Sequence, residues 1–180
     1  MSVLPINART FVGHNRAARF ICLQPQSTHT MLTEEQRQTD EAMMRKALVE
    51  AEAAYAEGEV PVGAIIVANG RILARAHNMT ERLNDVTAHA EMLALTAAAS
   101  ALGGKYLTDC TLYVTVEPCP MCAGAIGWAQ VKRIVYGAPD PKRGYTQCTH
   151  GVLHPKTQVT EGVLHDECAT LMQQFFKAKR

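Results

Sequence analysis

Leu112-Tyr113-Val114-Thr115-Val116, then Glu117-Pro118-Cys119-Pro120-Met121-Cys122-Ala123-Gly124-Ala125-Ile126-Gly127-Trp128-Ala129-Gln130, then Arg133-Ile134-Val135-Tyr136, is the stretch that decides the fold class. Two β-branched and aromatic runs flank a segment long enough for a helix, starting at Cys119 and reading through to Gln130 despite two glycines. A strand–helix–strand unit of that length pairs its strands in parallel with a right-handed crossover. Upstream, Ala64-Ile65-Ile66-Val67 and Ile72-Leu73-Ala74 bracket Asn69-Gly70, the strongest short hairpin signal, so an antiparallel pair joins the same sheet. Thr87 precedes an Ala-rich helix from Ala88 to Leu102, stopped by Gly103-Gly104. Earlier still, Thr33 caps a helix with Glu34 and Glu35 in its first turn. Its apolar positions Met43, Met44, Ala47, Leu48, Ala51 and Ala54 recur at helical spacing until Gly58. Residues 77–86 and 137–158 read as loops, and Asp166 to Lys179 closes the chain as a helix with Leu171, Phe175 and Phe176 on its apolar side. This order describes an α/β protein, a central mixed sheet covered by helices.

At 180 residues, with 47% hydrophobic and 19% charged side chains, the chain is one ordinary domain with a real core, not a disordered one. No apolar run approaches the roughly 20 residues that cross a bilayer. Six cysteines are too few for a disulfide scaffold, which points to a reducing cytoplasm. The net charge of +1 conceals blocks of +3 (residues 1–33), −6 (34–131) and +4 (132–180). The last block fits an anionic partner or ordinary solvated surface. Residues 1–33 contain Arg9, Arg16 and Arg19 but no acid, and no helical or strand period. A transit peptide has this composition; a disordered leader or a start assigned too early, with Met31 as the first residue, is the preferred reading. The folded domain, to which the chemistry below assigns catalysis, is then 34–180.

Two clusters carry chemistry: Thr87-Ala88-His89-Ala90-Glu91 and Glu117-Pro118-Cys119-Pro120-Met121-Cys122. Each falls at the start of a predicted helix. Cys119 and Cys122, three apart, share one helical face, so both sulfurs can reach one ion. Free N–H groups and the positive end of the helix dipole favour thiolate, the form a metal needs. Alone, Cys-x-x-Cys fits a redox pair, a structural metal site or chance, and His-x-Glu fits a helix start with a solvated carboxylate. Together they describe a zinc site with three protein ligands and an open fourth position, which is catalytic rather than structural. Glu91, two residues past His89, supplies a carboxylate that need not ligate the metal and can move protons.

These clusters resemble the signature of the zinc-dependent cytidine and deoxycytidylate deaminase-like proteins, His-Ala-Glu followed by Pro-Cys-x-x-Cys. Within that superfamily the chain is most similar to bacterial tRNA-specific adenosine deaminases. Glu59-Val60-Pro61-Val62-Gly63-Ala64, the Asn78 loop, Thr111 to Cys119, Met121-Cys122-Ala123-Gly124-Ala125, Glu161-Gly162-Val163, Asp166-Glu167-Cys168 and Phe175-Phe176 carry the likeness over roughly residues 39–180. The resemblance implies a three-layer α/β/α fold with about five strands. It implies one zinc per chain held by His89, Cys119 and Cys122, with Glu91 as proton shuttle. Asn78 would contact the base, Val62 would wall the pocket, and Phe175 with Phe176 would pack or stack near an entering tRNA anticodon loop. It further implies a homodimer and conversion of the wobble adenosine to inosine. Gly144-Tyr145-Thr146-Gln147-Cys148-Thr149-His150 departs from the family pattern, so that loop adds no residue to the set.

Two rivals remain at this stage: a free-base or nucleotide deaminase of guanine or cytosine type on the same fold, and a zinc-stabilised RNA-binding module without turnover. Glu91 argues against the module, and the basic, aromatic C-terminal helix argues against a free base, which brings no phosphates. Cys110, Cys148 and Cys168 read as small core residues. His77, His150, His154 and His165 read as surface or core-satisfied side chains. Trp128 is expected in the core or at a subunit interface rather than under a base.

Overall fold

A computed structural model describes residues 33–148 and 151–179. The expectations for residues 1–32, and for His150 and Arg180, lie outside the described residues. Thr33 caps the first helix as its position suggests, its hydroxyl accepting the Gln36 amide. That helix, α1 (Glu34–Ala56), presents Met44, Ala47, Ala51 and Ala54 as a fully buried stripe. Strands β1 (Gly63–Ala68) and β2 (Arg71–His77) form the expected hairpin, with Asn69 and Gly70 both at positive φ in the turn. A helical turn, α2 (Thr80–Leu83), follows, where the absence of period suggested only loop. Next come α3 (Ala90–Leu102), β3 (Cys110–Val116), α4 (Pro120–Trp128) and β4 (Arg133–Ala138). A 3-10 turn at Tyr145–Gln147, a short strand β5 (Gln158–Thr160) and α5 (His165–Ala178) complete the chain.

The sheet order is β2-β1-β3-β4-β5. β1 is antiparallel to both β2 and β3, whereas β3–β4 and β4–β5 are parallel, so the sheet is mixed and has five strands. Strand alternation divides the core into two faces. Ile66, Leu112, Val114, Ile134 and Tyr136 pack with Ala90, Ala94 and Ala98 of α3 and Ile126 of α4. Ile65, Tyr113 and Val135 face the other way, onto Met44 and Ala47 of α1 and Cys168 of α5. The result is three layers, α/β/α. Asp40 of α1 ties this second face together: it accepts the Tyr113 hydroxyl and both terminal nitrogens of Arg133.

α1 lies flush on β1 because residue 63 is glycine. A Cβ there would sit 2.0 Å from the Ala47 carbonyl oxygen and 2.4 Å from the Ala51 nitrogen. β5 completes the five strands that the resemblance implies, but its place is not legible locally: three residues at a sheet edge, none fully buried, carry no alternation to read. Its register, Arg133↔Gln158 to Val135↔Thr160, is set by its partner strand, and Arg133 reinforces it by donating to the Thr160 hydroxyl. Trp128, the last residue of α4, is 86% exposed, so of the two places expected for it the core of this chain is ruled out.

Candidate active site

β2 and β3, which flank β1 and run in the same direction, lead into α3 and α4 on one face of the sheet and so bring His89 and Cys119 together from 30 residues apart. His89 is the N-cap of α3 and Cys119 the N-cap of α4, both in extended backbone conformation. Thr87 had been expected to cap α3. Its hydroxyl instead donates to Asp85, which also accepts the Thr87 amide, and the helix begins two residues later. Neither N-cap side chain bonds its own helix, so both point outward to a shared centre. Pro120 at the first helical position costs no hydrogen bond there. Cys122 comes up from the same first turn.

His89 Nδ1 lies 3.7 Å from Cys119 Sγ and 3.5 Å from Cys122 Sγ, and all three ligand atoms fall within 4.8 Å of one another. Zinc–sulfur and zinc–nitrogen bonds of about 2.3 and 2.05 Å at a tetrahedral angle put N and S roughly 3.6 Å apart. The separations therefore fit one zinc ion. Among the described residues no fourth His, Cys, Asp or Glu joins the set. The donor chemistry agrees. Between themselves the sulfurs stabilise a single charge: the bond from Cys122, then that with His89, holds the Cys119 thiol down at about 4. The same bond, with burial, pushes Cys122 up. Keeping both as thiolates calls for a cation between them. His89 is itself raised, first by its hydrogen bond to Cys119.

Glu91 sits in the first turn of α3, 3% exposed. Burial pushes its carboxyl up to about 7, against opposing contributions from its backbone amide and His89. Asn78 is reached through the backbone: its amide donates to the Val62 carbonyl, and the Met79 amide donates to Ala88, next to His89. Asn78 and Val62 thus meet at the end of the sheet that carries His89. Phe175 and Phe176 are elsewhere, on α5 across the sheet from α3 and α4. Phe175 is buried edge-to-face against Tyr55 and Phe176, with Lys179 over its ring; Phe176 is half exposed.

The family model described as the cytidine and deoxycytidylate deaminase zinc-binding region matches residues 37–138, more than half of the chain. The chain belongs to this family. A tRNA-specific adenosine deaminase of Bacillus subtilis is 45% identical over 146 residues, 78% of this chain and 91% of that protein. A chloroplastic tRNA(adenine(34)) deaminase of Arabidopsis thaliana is 45% identical over 166 residues, 81% of this chain, although the match spans 13% of that much longer protein. Among solved structures, one from work on A-to-I editing by tRNA:A34 deaminases at the wobble position aligns with a TM-score of 0.69 at 44% identity, covering 72% of this chain and 98% of that one. A guanine deaminase of Bacillus subtilis aligns at 0.53 with 42% identity, covering 55% and 64%.

Two further carboxylates brace this deaminase centre, and sequence reasoning had given neither a role. Glu59, 1% exposed, accepts the Glu81 and Arg82 amides on Oε1 and the Thr80 hydroxyl on Oε2. Burial alone would raise its carboxyl; the donated bonds, led by the Arg82 and Glu81 amides, outweigh it and hold the group below the usual carboxylate range. Glu117, 5% exposed, accepts the Asp140 and Thr146 amides and the Thr146 hydroxyl, fixing the loop that follows β4. Gly144 passes so close that an added Cβ would lie 2.2 Å from the Glu117 carboxyl carbon. The available signal was an acid inside an apolar frame: Gly58-Glu59-Val60-Pro61 and Val116-Glu117-Pro118. A solvated carboxylate has no reason to stand there.

Proposed function

We propose that this chain is a hydrolytic, zinc-dependent adenosine deaminase that converts the wobble adenosine of a tRNA to inosine. The observation that carries deamination is a buried carboxylate, Glu91, beside a His–Cys–Cys set spaced for one zinc with no fourth protein ligand among the described residues. The choice of tRNA rests on the 45% identity to tRNA-specific adenosine deaminases over most of the chain. His89, Cys119 and Cys122 would hold the zinc, and the chemistry it would supply there is an activated water for attack on the carbon bearing the amine. Glu91 takes one proton from water and delivers it to ring nitrogen N1, then takes the remaining hydroxyl proton and delivers it to the departing amine, so inosine keeps the first and ammonia carries away the second. Burial raises the Glu91 carboxyl above the usual carboxylate range, which suits a group that must both take and give protons. Asn78 hydrogen-bonds the base and Val62 lines the pocket, while Phe176, half exposed on a helix that ends in Lys177 and Lys179, meets the anticodon stem-loop. The catalytic domain is residues 34–180.

The working species is a homodimer. Trp128, 86% exposed on α4, borders a surface groove with Gly124, Gly127, Val152, Leu153 and His154. A second copy covering it would remove the largest exposed aromatic surface among the described residues from water. No described helix is long and apolar enough to cross a membrane. Cysteines free of disulfides at the centre suit a reducing compartment, the cytoplasm.

The test is a substrate panel. A tRNA anticodon hairpin with an unpaired adenosine should be deaminated, since a loop base is already unstacked, and a chain starting at Met31 should do as well as the longer one. Free adenine, guanine, cytosine and cytidine should be poor substrates, lacking the remote phosphates whose binding positions the ring. Efficient turnover of guanine with no action on the hairpin would replace this reading with the free-base deaminase.

A further inference from the structure

Glu59 lies outside the metal set, yet a chain of hydrogen bonds runs from it to Asn78. The Asn78 Nδ2 donates to Thr80 Oγ1 at 3.3 Å, and the Thr80 hydroxyl donates to Glu59 Oε2 at 3.1 Å. The direction of this chain is not optional. An ionised carboxylate only accepts, so the Thr80 hydrogen must point to Glu59, and only the lone pairs of Thr80 remain for Asn78. Those lone pairs can bind the NH2 end of the amide and would repel its oxygen. Asn78 Oδ1 has no hydrogen-bond partner among the described residues, yet it is not sealed from solvent. Both Glu59 oxygens are engaged, Oε1 with the Glu81 and Arg82 amides, so the carboxylate cannot turn away.

We propose that Glu59 is a positioning residue for the base pocket: acting through Thr80, it fixes the polarity of the Asn78 amide, so that the donor end is committed inside the fold and the Oδ1 acceptor is offered to a hydrogen-bond donor of the substrate. This rests on the reading that Asn78 touches the base. The physical content is preorganisation. A free amide would spend part of its time flipped, presenting donor to donor, and each such encounter is unproductive.

Glu59→Gln tests it with little loss of packing, because its Oε1 can still accept both amides while its NH2 can donate to Thr80, releasing that hydroxyl to meet either end of Asn78. Thr80→Val removes the link outright, and Thr80→Ser restores it. The first readout is the side-chain amide of Asn78 in 15N–1H spectra, assigned by its loss in Asn78→Ala. In the parent one of the two protons is held by Thr80, so the pair is widely split; in Glu59→Gln and Thr80→Val the pair collapses toward that of a solvated Asn. The second is a double-mutant cycle on the zinc-loaded protein. Glu59→Gln lowers kcat/KM on the hairpin about tenfold, the scale of one hydrogen bond, but less than twofold when residue 78 is already Ala. Thr80→Ser stays near the parent. An unchanged amide pair in both variants, or an equal loss with Asn and with Ala at 78, overturns the proposal. A parent that leaves every hairpin untouched refutes the tRNA reading instead, and the amide spectrum still decides Glu59.

Discussion

Gly63→Ala should destabilise this protein more than almost any other single methyl addition. The new Cβ would stand 2.0 Å from the Ala47 carbonyl oxygen and 2.4 Å from the Ala51 nitrogen. Both are backbone atoms of α1, so no side chain can swing aside. Non-bonded Cβ contacts essentially never fall below 3.0 Å, so α1 must retreat from β1 by about 1 Å. Met44, Ala47 and Ala51 are 0% exposed against the sheet, and a gap of 0.5–1 Å loses roughly a quarter to a half of each contact. Overpacking typically costs about 1–3 kcal/mol, and a clash with rigid backbone belongs at the upper end. For a domain of this size about 3 kcal/mol corresponds to a Tm lowered by roughly 6–12 °C. Differential scanning calorimetry of the zinc-loaded protein measures it, with Gly104→Ala as control: nothing lies within 4 Å of that added Cβ. The control should melt within about 2 °C of the parent. If Gly63→Ala melts there too, α1 does not lie flush on β1 and the packing of that face is misassigned. Because the neighbouring Val62 carbonyl accepts the Asn78 amide, the same variant should also raise KM for the hairpin.

Cys119→Ser and Cys122→Ser should each lose zinc by elemental analysis, since two ligands do not hold what three do; full occupancy in either would refute the ligand set. Glu91→Ala should keep zinc and fold while turnover falls about 10²–10⁴-fold, the range of a lost proton shuttle, and robust turnover would remove Glu91 from that role. The pH dependence of stability should single out Glu59. Its carboxyl is depressed in the folded state, so it stabilises the fold above its ordinary value of 4.5 and gives this up as pH falls. The Tm advantage of the parent over Glu59→Gln should therefore be largest near pH 7 and shrink below pH 4.5; an advantage that grows with acid would show the opposite shift.

Much of this molecule is written in local patterns. The buried stripe of α1, the Asn69-Gly70 turn and the β3–α4–β4 unit obey periods and turn preferences that act over a few residues, and the structure follows them. His89, Glu91, Cys119 and Cys122 were legible for the same reason: each cluster is short, and each opens a helix whose free N–H groups favour the charges a metal site needs. What the sequence could not decide is who meets whom across the sheet. β5 is a strand only because β4 offers it an unpaired edge. Trp128 read as core or interface, and only the fold shows that this chain's own core does not take it. Thr87 had the chemistry of a cap, but Asp85 takes its hydroxyl first. Glu59 and Glu117 looked like ordinary acids until folding sealed each against backbone donors 22 to 29 residues away. Propensity and periodicity arise from a chain's interaction with itself over one or two turns. The partner of a buried carboxylate, the edge of a sheet and the polarity of the Asn78 amide depend on long-range closure, and only the folded backbone supplies it.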